Sequence, residues 1–380
     1  MGSHVKVLLF ANTDWYLYNF QLALARELRD RGNEVILVSP EGSYSARLQA
    51  QGFHWVNFQF SRRGVNPLVE AWTVIRLIRL YHREKPDLIH HFTVKCVVYG
   101  SLAASCLGIR TVVNSVTGLG YVFTEGQGAR TWLKGLVNLF YRMLLRRTQV
   151  IFQNPEDRDL FQQQNLVAPG RVSLILGSGT DTKQFVPRSE AKGDPVIILP
   201  ARLLWDKGVG EFVAAARILR DQGIVARFAL VGDTDEGNPA AVPSAQLKQW
   251  AESGVIEWWG WQEDMAQVYP VSHIVCLPTA YREGVPKTLV EAAACGRSLV
   301  ATNIPGCREV VRDGENGYLV RPRDINALVV ALRKLIESPS LRATMGIRGR
   351  EIVLQKFSTT IILSQTLDVY RAVLGDKKLS

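Results

Sequence analysis

The densest chemistry in this 380-residue chain lies in Glu283-Gly-Val-Pro-Lys-Thr-Leu-Val-Glu291, followed by Ala292-Ala-Ala-Cys-Gly296. Pro286 suits the first turn of a helix. A helix over 286–295 offers unpaired N–H groups and a positive dipole end to a phosphate, and Gly284 lets the backbone pass close to a ligand. Glu283 stands just before that helix and Glu291 about a turn and a half into it, both able to point toward a cleft mouth. Carboxylates accept paired hydrogen bonds from vicinal hydroxyls, so the spacing suits one acid on a sugar and the other on a ribose. Taken alone, the pair reads equally well as a helix-capping and a solvated glutamate. Upstream, Ala201-Arg-Leu-Leu-Trp-Asp-Lys-Gly208 sets Arg202 and Lys207 at a strand end and helix start. Two cations there suit a diphosphate leaving group, on which negative charge grows as it departs.

Other signals are weaker. Asp157-Arg-Asp159 and Asp233-Thr-Asp235 have the DxD pattern that holds metals elsewhere, but the first opens a helix and the second follows a glycine turn. No metal is expected. His90 and His91 end a strand, where a histidine either touches ligand or packs. Ser61-Arg-Arg-Gly-Val-Asn-Pro67 is a loop of donors that suits an acceptor diphosphate. The segments 72–83 and 132–147 combine aromatics with Arg76, Arg79, Arg83, Lys134, Arg142, Arg146 and Arg147. They read either as sheet-covering helices or as helices lying on an anionic membrane. The five cysteines form an odd set with no CxxC pair, which argues against a disulfide framework or a zinc site.

The elements that must position these residues alternate between short β-rich runs and longer helical patterns, which predicts parallel sheets flanked by helices. In the first half, strands are expected at 5–10, 34–39, 54–58, 88–91, 110–116, 149–153 and 172–175, with a helix at 19–31. The pattern then starts over with a strand at 196–200, a helix at 207–222 and strands at 226–231 and 298–302. Both opening helices end in Arg-Asp-x-Gly, at Arg29–Gly32 and Arg220–Gly223, where the glycine supplies a left-handed C′ residue. Periodicity breaks between Gly177 and Pro195. The expected division is 1–182, 183–358 and a C-terminal helix over 359–380 that packs back on the first domain, with ligands in a cleft beyond the strand ends.

Hydrophobic residues make up 47% and charged residues 21%, ordinary globular values that set aside disordered, collagen-like and coiled-coil classes. No window of about 18 residues is free of charge, and the start has no signal-peptide pattern, so a cytoplasmic protein is expected. The net charge is +10, of which residues 1–186 carry +8. Such a half attracts nucleic acid, anionic lipid or a phosphorylated small molecule alike. No zinc pattern, RNA-binding signature or P-loop accompanies it, so no nucleic-acid partner is expected.

The Glu283-x7-Glu291 element, Arg202 with Lys207-Gly208, Gly179-Thr-Asp181, Pro305-Gly306 and Gly314-Glu-Asn-Gly317 together resemble the retaining glycosyltransferase family 4. The resemblance runs over nearly the whole chain and is densest over 172–357. Through His90-His-Phe-Thr-Val-Lys95 and Asn114-Ser-Val-Thr-Gly-Leu-Gly-Tyr121, the first half resembles bacterial transferases that build surface polysaccharides on lipid-linked acceptors. The resemblance implies the α/β GT-B fold, two doubly wound Rossmann-like domains facing a cleft, with the donor held mainly by the second. It implies Arg202, Lys207 and Glu283 as catalytic residues, the first two on the diphosphate and Glu283 on the donor sugar. Glu291 would hold the ribose and Gly260-Trp261-Gln262 the base, with Gly284, Val285, Pro286, Lys287, Thr288 and Leu289 completing the donor site. The acceptor set is Asn12, Asp14, Arg62, Arg63, His91, Thr93, Thr117 and Gly118. Two positions depart from the family pattern: Asn12-Thr-Asp-Trp-Tyr16 stands where many relatives carry a glycine pair, and Thr117 where many carry a histidine, so no catalytic base is assigned.

The expected function is metal-independent transfer of a hexose or N-acetylhexosamine, with retention, from a UDP-sugar to a polyprenyl-diphosphate-linked saccharide. The expected place is an anionic membrane surface on the cytoplasmic side, with no cofactor beyond the nucleotide sugar. A nucleotide-sugar 2-epimerase of the same fold and a non-catalytic saccharide-binding subunit are the alternatives.

Overall fold

A computed structural model of the chain describes residues 4–61, 66–118, 135, 139, 141–235, 237–375 and 379. The chain forms two units, Met1–Ser178 with Thr360–Ser380, and Gly179–Thr359. The first holds β1 (Lys6–Phe10), β2 (Glu34–Ser39), β3 (His54–Asn57), β4 (Leu88–Phe92), β5 (Val112–Val116), β6 (Gln149–Phe152) and β7 (Val172–Leu174). These pair in parallel in the order β3-β2-β1-β4-β5-β6-β7. The second holds β8 (Val196–Pro200), β9 (Arg227–Val231), β10 (Glu257–Gly260), β11 (Ile274–Leu277), β12 (Ser298–Thr302) and β13 (Gly317–Val320). Their order is β10-β9-β8-β11-β12-β13, again parallel.

The strands are apolar runs because both faces of a parallel sheet are covered by helices. Along β1, Val7 and Leu9 enter a core with Leu24, Leu28 and Ile151. Leu8 and Phe10 enter the opposite core with Leu77, Tyr81 and Ala103. The last helix, Thr359–Leu374, contributes Ile362, Leu367, Tyr370 and Leu374 to the first of these cores. The second unit's core is built on Ile197, Leu199, Phe212, Leu230, Cys276 and Leu332. The five cysteines are all thiols, buried except for Cys106.

The opening helix differs from its expected 19–31. The chain turns helical at Asp14, capped by Thr13 Oγ1 accepting from Tyr16 N at 3.0 Å, passes through a π-turn over Leu17–Gln21 and runs to Asp30. The helix expected at 207–222 is a 3₁₀ turn, Trp205–Lys207, then a left-handed Gly208, then a helix over Val209–Asp221. Both Arg-Asp-x-Gly ends hold, with Gly32 at φ +83° and Gly223 at φ +73°. Of the expected basic helix at 132–147, Tyr141–Leu145 is helical, with Tyr141, Leu144 and Leu145 buried. Most of its earlier part, Lys134 included, lies outside the described residues.

Candidate active site

Strand order reverses between β8 and β11, and in an open parallel sheet the loops beyond such a reversal form the ligand crevice. The two loops here are stitched together. Asp206 O accepts from Thr279 Oγ1 at 3.0 Å and Ala280 N at 2.9 Å. Gly208 sits at φ +77° so close to the next loop that a Cβ would lie 2.2 Å from Pro278 O. On the other side Gly306, at φ +80°, lies against Glu283 and Gly284, and a Cβ there would meet Gly284 O at 1.9 Å. Thr302 Oγ1 donates to Thr279 O at 2.5 Å.

This frame brings Lys207 Nζ to 2.5 Å from Glu283 Oε1, with the two side chains only 13% and 15% exposed. The ammonium also lies 5.7 Å from the centre of the Tyr281 ring. Charge, hydrogen bond and aromatic face therefore hold one cation at the crevice. Arg202 behaves differently. Its guanidinium, more than half exposed, pairs with Asp235 at 2.8 Å, so the two expected phosphate ligands are committed to carboxylates on separate loops.

The helix beyond Glu283 runs over Lys287–Ala294, with Pro286 at the N-cap rather than inside the first turn, because its ψ of 112° is extended. The ladder begins where Leu289 N and Val290 N donate to Pro286 O. Leu289 is thus corrected: its side chain is wholly buried and its amide is used. The amides of Lys287 and Thr288 lie ahead of the ladder, where an anion meets the helix dipole. Glu291 does not point to open solvent. It is buried, accepts from Tyr269 Oη at 3.1 Å and lies 3.6 Å from Lys287 Nζ. Burial raises its carboxyl above the ordinary range, opposed by Lys287 and the Tyr269 hydrogen bond.

At the end of β10, Gly260 O accepts from Gly232 N at 2.8 Å, Trp261 is half exposed, and the Gln262 side chain donates to Trp259 O at 2.8 Å. A half-exposed aromatic is thus presented where a base was expected, while the Gln262 side chain is used within its own loop.

In the first unit the reversal falls between β1 and β4. Two of the acceptor residues expected there are corrected. Asp14 is buried and accepts from Trp15 N, Tyr44 N and Ser45 N at 2.7 to 2.8 Å, tying the β1 loop to the start of the Ser45–Ala50 helix. His91 is fully buried, with Nδ1 at 2.8 Å from Asn114 Oδ1 and Nε2 at 3.0 Å from Tyr81 Oη. Because Asn114 presents its oxygen, His91 donates from Nδ1 and accepts at Nε2, and burial lowers its pKa to about 4. It is a neutral core histidine. Gly100 makes room for it, since a Cβ there would lie 2.3 Å from Nε2.

Arg62 and Arg63 lie outside the described residues. Asn12, Thr117 and Gly118 are partly exposed beyond their strands, and Thr93 holds φ +73°, unusual for a β-branched residue. Thr117 lines a cavity of about 30 Å³ with Tyr16, Ser115, Gln153 and His90. His90 Nδ1 meets Tyr370 Oη at 2.6 Å and its Nε2 meets Ser115 Oγ at 2.7 Å.

Neither DxD segment gathers into a ligand set. Asp157 is buried against its own N-cap, Asn154, and Asp235 serves Arg202 and Asn238. No cluster of three or more potential metal ligands occurs among the described residues.

Tyr281 and Tyr269, which orient Lys207 and Glu291, were not anticipated from sequence. Tyr281 stands two positions before Glu283, which is the one signal that could have found it. Tyr269 comes from another helix, Met265–Val271, and carries none.

Comparison with known proteins follows this division. A family described as "Glycosyl transferase 4-like" matches residues 6–154, and one described as "Glycosyl transferases group 1" matches residues 194–338. The N,N'-diacetylbacillosaminyl-diphospho-undecaprenol alpha-1,3-N-acetylgalactosaminyltransferase of Campylobacter jejuni is 27% identical over 94% of this chain and 96% of its own length. The UDP-Gal:alpha-D-GlcNAc-diphosphoundecaprenol alpha-1,3-galactosyltransferase of Escherichia coli is 24% identical over 83% of each. Among solved structures, Anabaena Alr3699/HepE in complex with UDP superposes with a TM-score of 0.77 at 20% identity, covering 97% of this chain and 100% of the other.

Proposed function

We propose that this chain, which belongs to the family 4 glycosyltransferases of GT-B fold, moves a hexose or N-acetylhexosamine from a UDP-sugar to a polyprenyl-diphosphate-linked saccharide. The observation that carries the donor half of this reading is the Lys207–Glu283 pair beside the start of the Lys287–Ala294 helix. An ammonium, the first amides of a helix and the helix dipole converge there, the combination a departing diphosphate needs. The printed activities of the Campylobacter jejuni and Escherichia coli relatives support the acceptor half and, for the second, a UDP donor.

The transfer is read as retaining and metal-independent. The bond from the anomeric carbon to the diphosphate oxygen breaks, and the acceptor oxygen bonds to the same face. The acceptor's proton passes to the departing phosphate oxygen, so no side-chain base is required. The place of action is read as the inner face of the cell membrane; no described helix is long and apolar enough to cross one.

The test is a panel of UDP-hexoses and UDP-N-acetylhexosamines with a polyprenyl-diphosphate disaccharide, reading UDP release and the anomeric configuration of the product. Acceptor-dependent release that persists in excess EDTA, with an α-linkage formed from an α-donor, is expected. Loss of transfer in EDTA with recovery in Mn²⁺ would overturn metal independence. Consumption of the nucleotide sugar to its C2 epimer without an acceptor would overturn the transferase reading.

Glu291 gives a pH signature. It accepts from ribose hydroxyls most strongly when ionised, with both oxygens then acceptors, and its carboxyl titrates above the ordinary range. UDP affinity should therefore fall on acidification at a pH above that of an ordinary glutamate. Lys287→Met should move that fall to still higher pH. Glu291→Gln should abolish the pH dependence and weaken UDP about tenfold, the loss of one hydrogen bond to a charged group. Stability of the unliganded protein should run the other way. The folded state holds this proton more tightly than the unfolded, so stability falls as pH rises from the ordinary range through the raised value. Calorimetric titration with UDP and thermal unfolding across pH 4 to 8 check both; a pH-independent UDP affinity would remove the ribose role.

A further inference from the structure

The helix Pro67–Glu84 is anchored on one side and bare on the other. Thr73, Leu77, Leu80 and Tyr81 are buried, and near its start Glu70 is paired with Lys95 at 2.8 Å. At 100° per residue, Leu68, Trp72, Ile75, Arg79 and Arg83 fall within an arc of roughly 80° on the opposite side. Leu68 is 81% exposed, Trp72 52% and Ile75 41%, and Val69 beside them is half exposed.

This outward stripe is not uniform. Its first two turns are apolar and its last two basic, and the Arg79 guanidinium lies over the Trp72 ring at 5.2 Å where the two halves meet. Arg76 is not part of the stripe. Its guanidinium packs over Phe58 at 4.8 Å and donates to Gln59 O at 2.9 Å, so it belongs to the fold.

Contiguous exposed apolar side chains on a soluble protein mark a surface meant to be covered. A protein-binding patch has an apolar centre and a polar rim on all sides. Here polarity changes once, along the axis, from leucine through tryptophan to arginine, in the order hydrocarbon, interface and phosphate headgroup of a bilayer leaflet. The +8 charge of residues 1–186 complements an anionic leaflet.

We propose that this helix seats the protein on anionic lipid obliquely, its N-terminal end deeper. Leu68, Trp72 and Ile75 enter the apolar edge of the leaflet, while Arg79 and Arg83 meet lipid phosphates. The inference deepens the membrane setting of the proposed function and rests on that reading only for its biological purpose.

The test uses the whole chain and acceptor-free vesicles of phosphatidylcholine with or without phosphatidylglycerol, so that its failure leaves the acceptor assay untouched. Wild type should float with phosphatidylglycerol vesicles in low salt, and less so as salt rises. Leu68→Ser with Trp72→Ser should weaken partitioning at least tenfold, and so should Arg79→Glu with Arg83→Gln, given roughly fivefold per surface base. Arg83 is changed to glutamine rather than glutamate because it pairs with the largely buried Glu84 at 2.7 Å. Circular dichroism checks that each variant is folded. Depth is read from a fluorophore at Leu68→Cys or His82→Cys in a Cys106→Ser background, with quenchers in the acyl chain or headgroup. The residue 68 probe should respond to acyl quenchers and the residue 82 probe to headgroup quenchers. Equal binding to neutral vesicles, equal quenching depth at the two sites, or salt-independent self-association abolished by Leu68→Ser would each overturn the proposal, the last in favour of a second copy.

Discussion

Replacing Lys207 by alanine is expected to lower turnover by about a hundredfold or more while weakening UDP binding far less. Charge on the diphosphate grows in the transition state, and a fixed cation is felt most there; losing one such contact costs about 3 kcal/mol. The substitution also strands Glu283, whose side chain is only 15% exposed, and an unpaired carboxylate there costs about 1 to 3 kcal/mol of stability. The stability cost is tested in Lys207→Met with Glu283→Gln, which removes both charges: stability should largely return, while turnover stays low because Glu283 is itself assigned to the donor sugar. Steady-state kinetics and thermal unfolding of the single and double variants decide the matter. Near-normal kcat in Lys207→Ala would defeat the role assigned to this residue.

The second large effect is expected from a single methyl group. Gly306→Ala places a Cβ 1.9 Å from Gly284 O and 2.9 Å from Glu283 O, so the segment carrying Glu283 must move. Gly314→Ala is the control. It has nearly the same left-handed φ, +77° against +80°, but nothing lies within 4 Å of its Cβ. Gly314→Ala should show the cost of an alanine at positive φ, about 1 kcal/mol; Gly306 combines its positive φ with ψ −51°, so backbone strain adds to the steric clash there. Gly306→Ala alone should lose about 3 kcal/mol or more in total, together with nearly all transfer activity. Calorimetric unfolding and an end-point UDP-release assay compare them. Similar behaviour of the two variants would show that the close approach at Gly306 has no part in holding the site.

Why some of this was legible in the sequence and some was not follows from the physics of parallel sheets. β2, β8 and β12 were placed to the residue because β-branched runs end at turn or helix-capping residues. Arg202, Lys207, Glu283 and Glu291 could be singled out because loops beyond strand ends carry few other constraints on charge. His91 could not be resolved. In a sheet covered on both faces, a polar residue near a strand end reads the same whether it packs under a helix or lines a crevice. That it packs is decided by contacts distant in sequence, with Asn114 and Tyr81, and by Gly100, which leaves room for the ring. Asp14 was misassigned for a related reason: its three donors lie in its own turn and about thirty residues downstream, a contact that tertiary structure alone creates. The Glu283 partnership with Lys207 spans 76 positions, and periodicity says nothing about it.

The return of the helix Thr359–Leu374 to the first unit bears on the order in which the chain can acquire its structure. Residues 179–359 form one uninterrupted stretch, so that unit can close as soon as it leaves the ribosome. The unit synthesised first cannot complete its core until Leu367, Tyr370 and Leu374 emerge. Until then Leu9, Leu24 and Ile151 lack part of their cover, and His90 lacks the hydroxyl that meets its Nδ1. The amino-terminal half is thus the last to mature. A nascent chain stopped short of Tyr370 is left with an exposed apolar sheet face, the kind of surface that chaperones and proteases recognise.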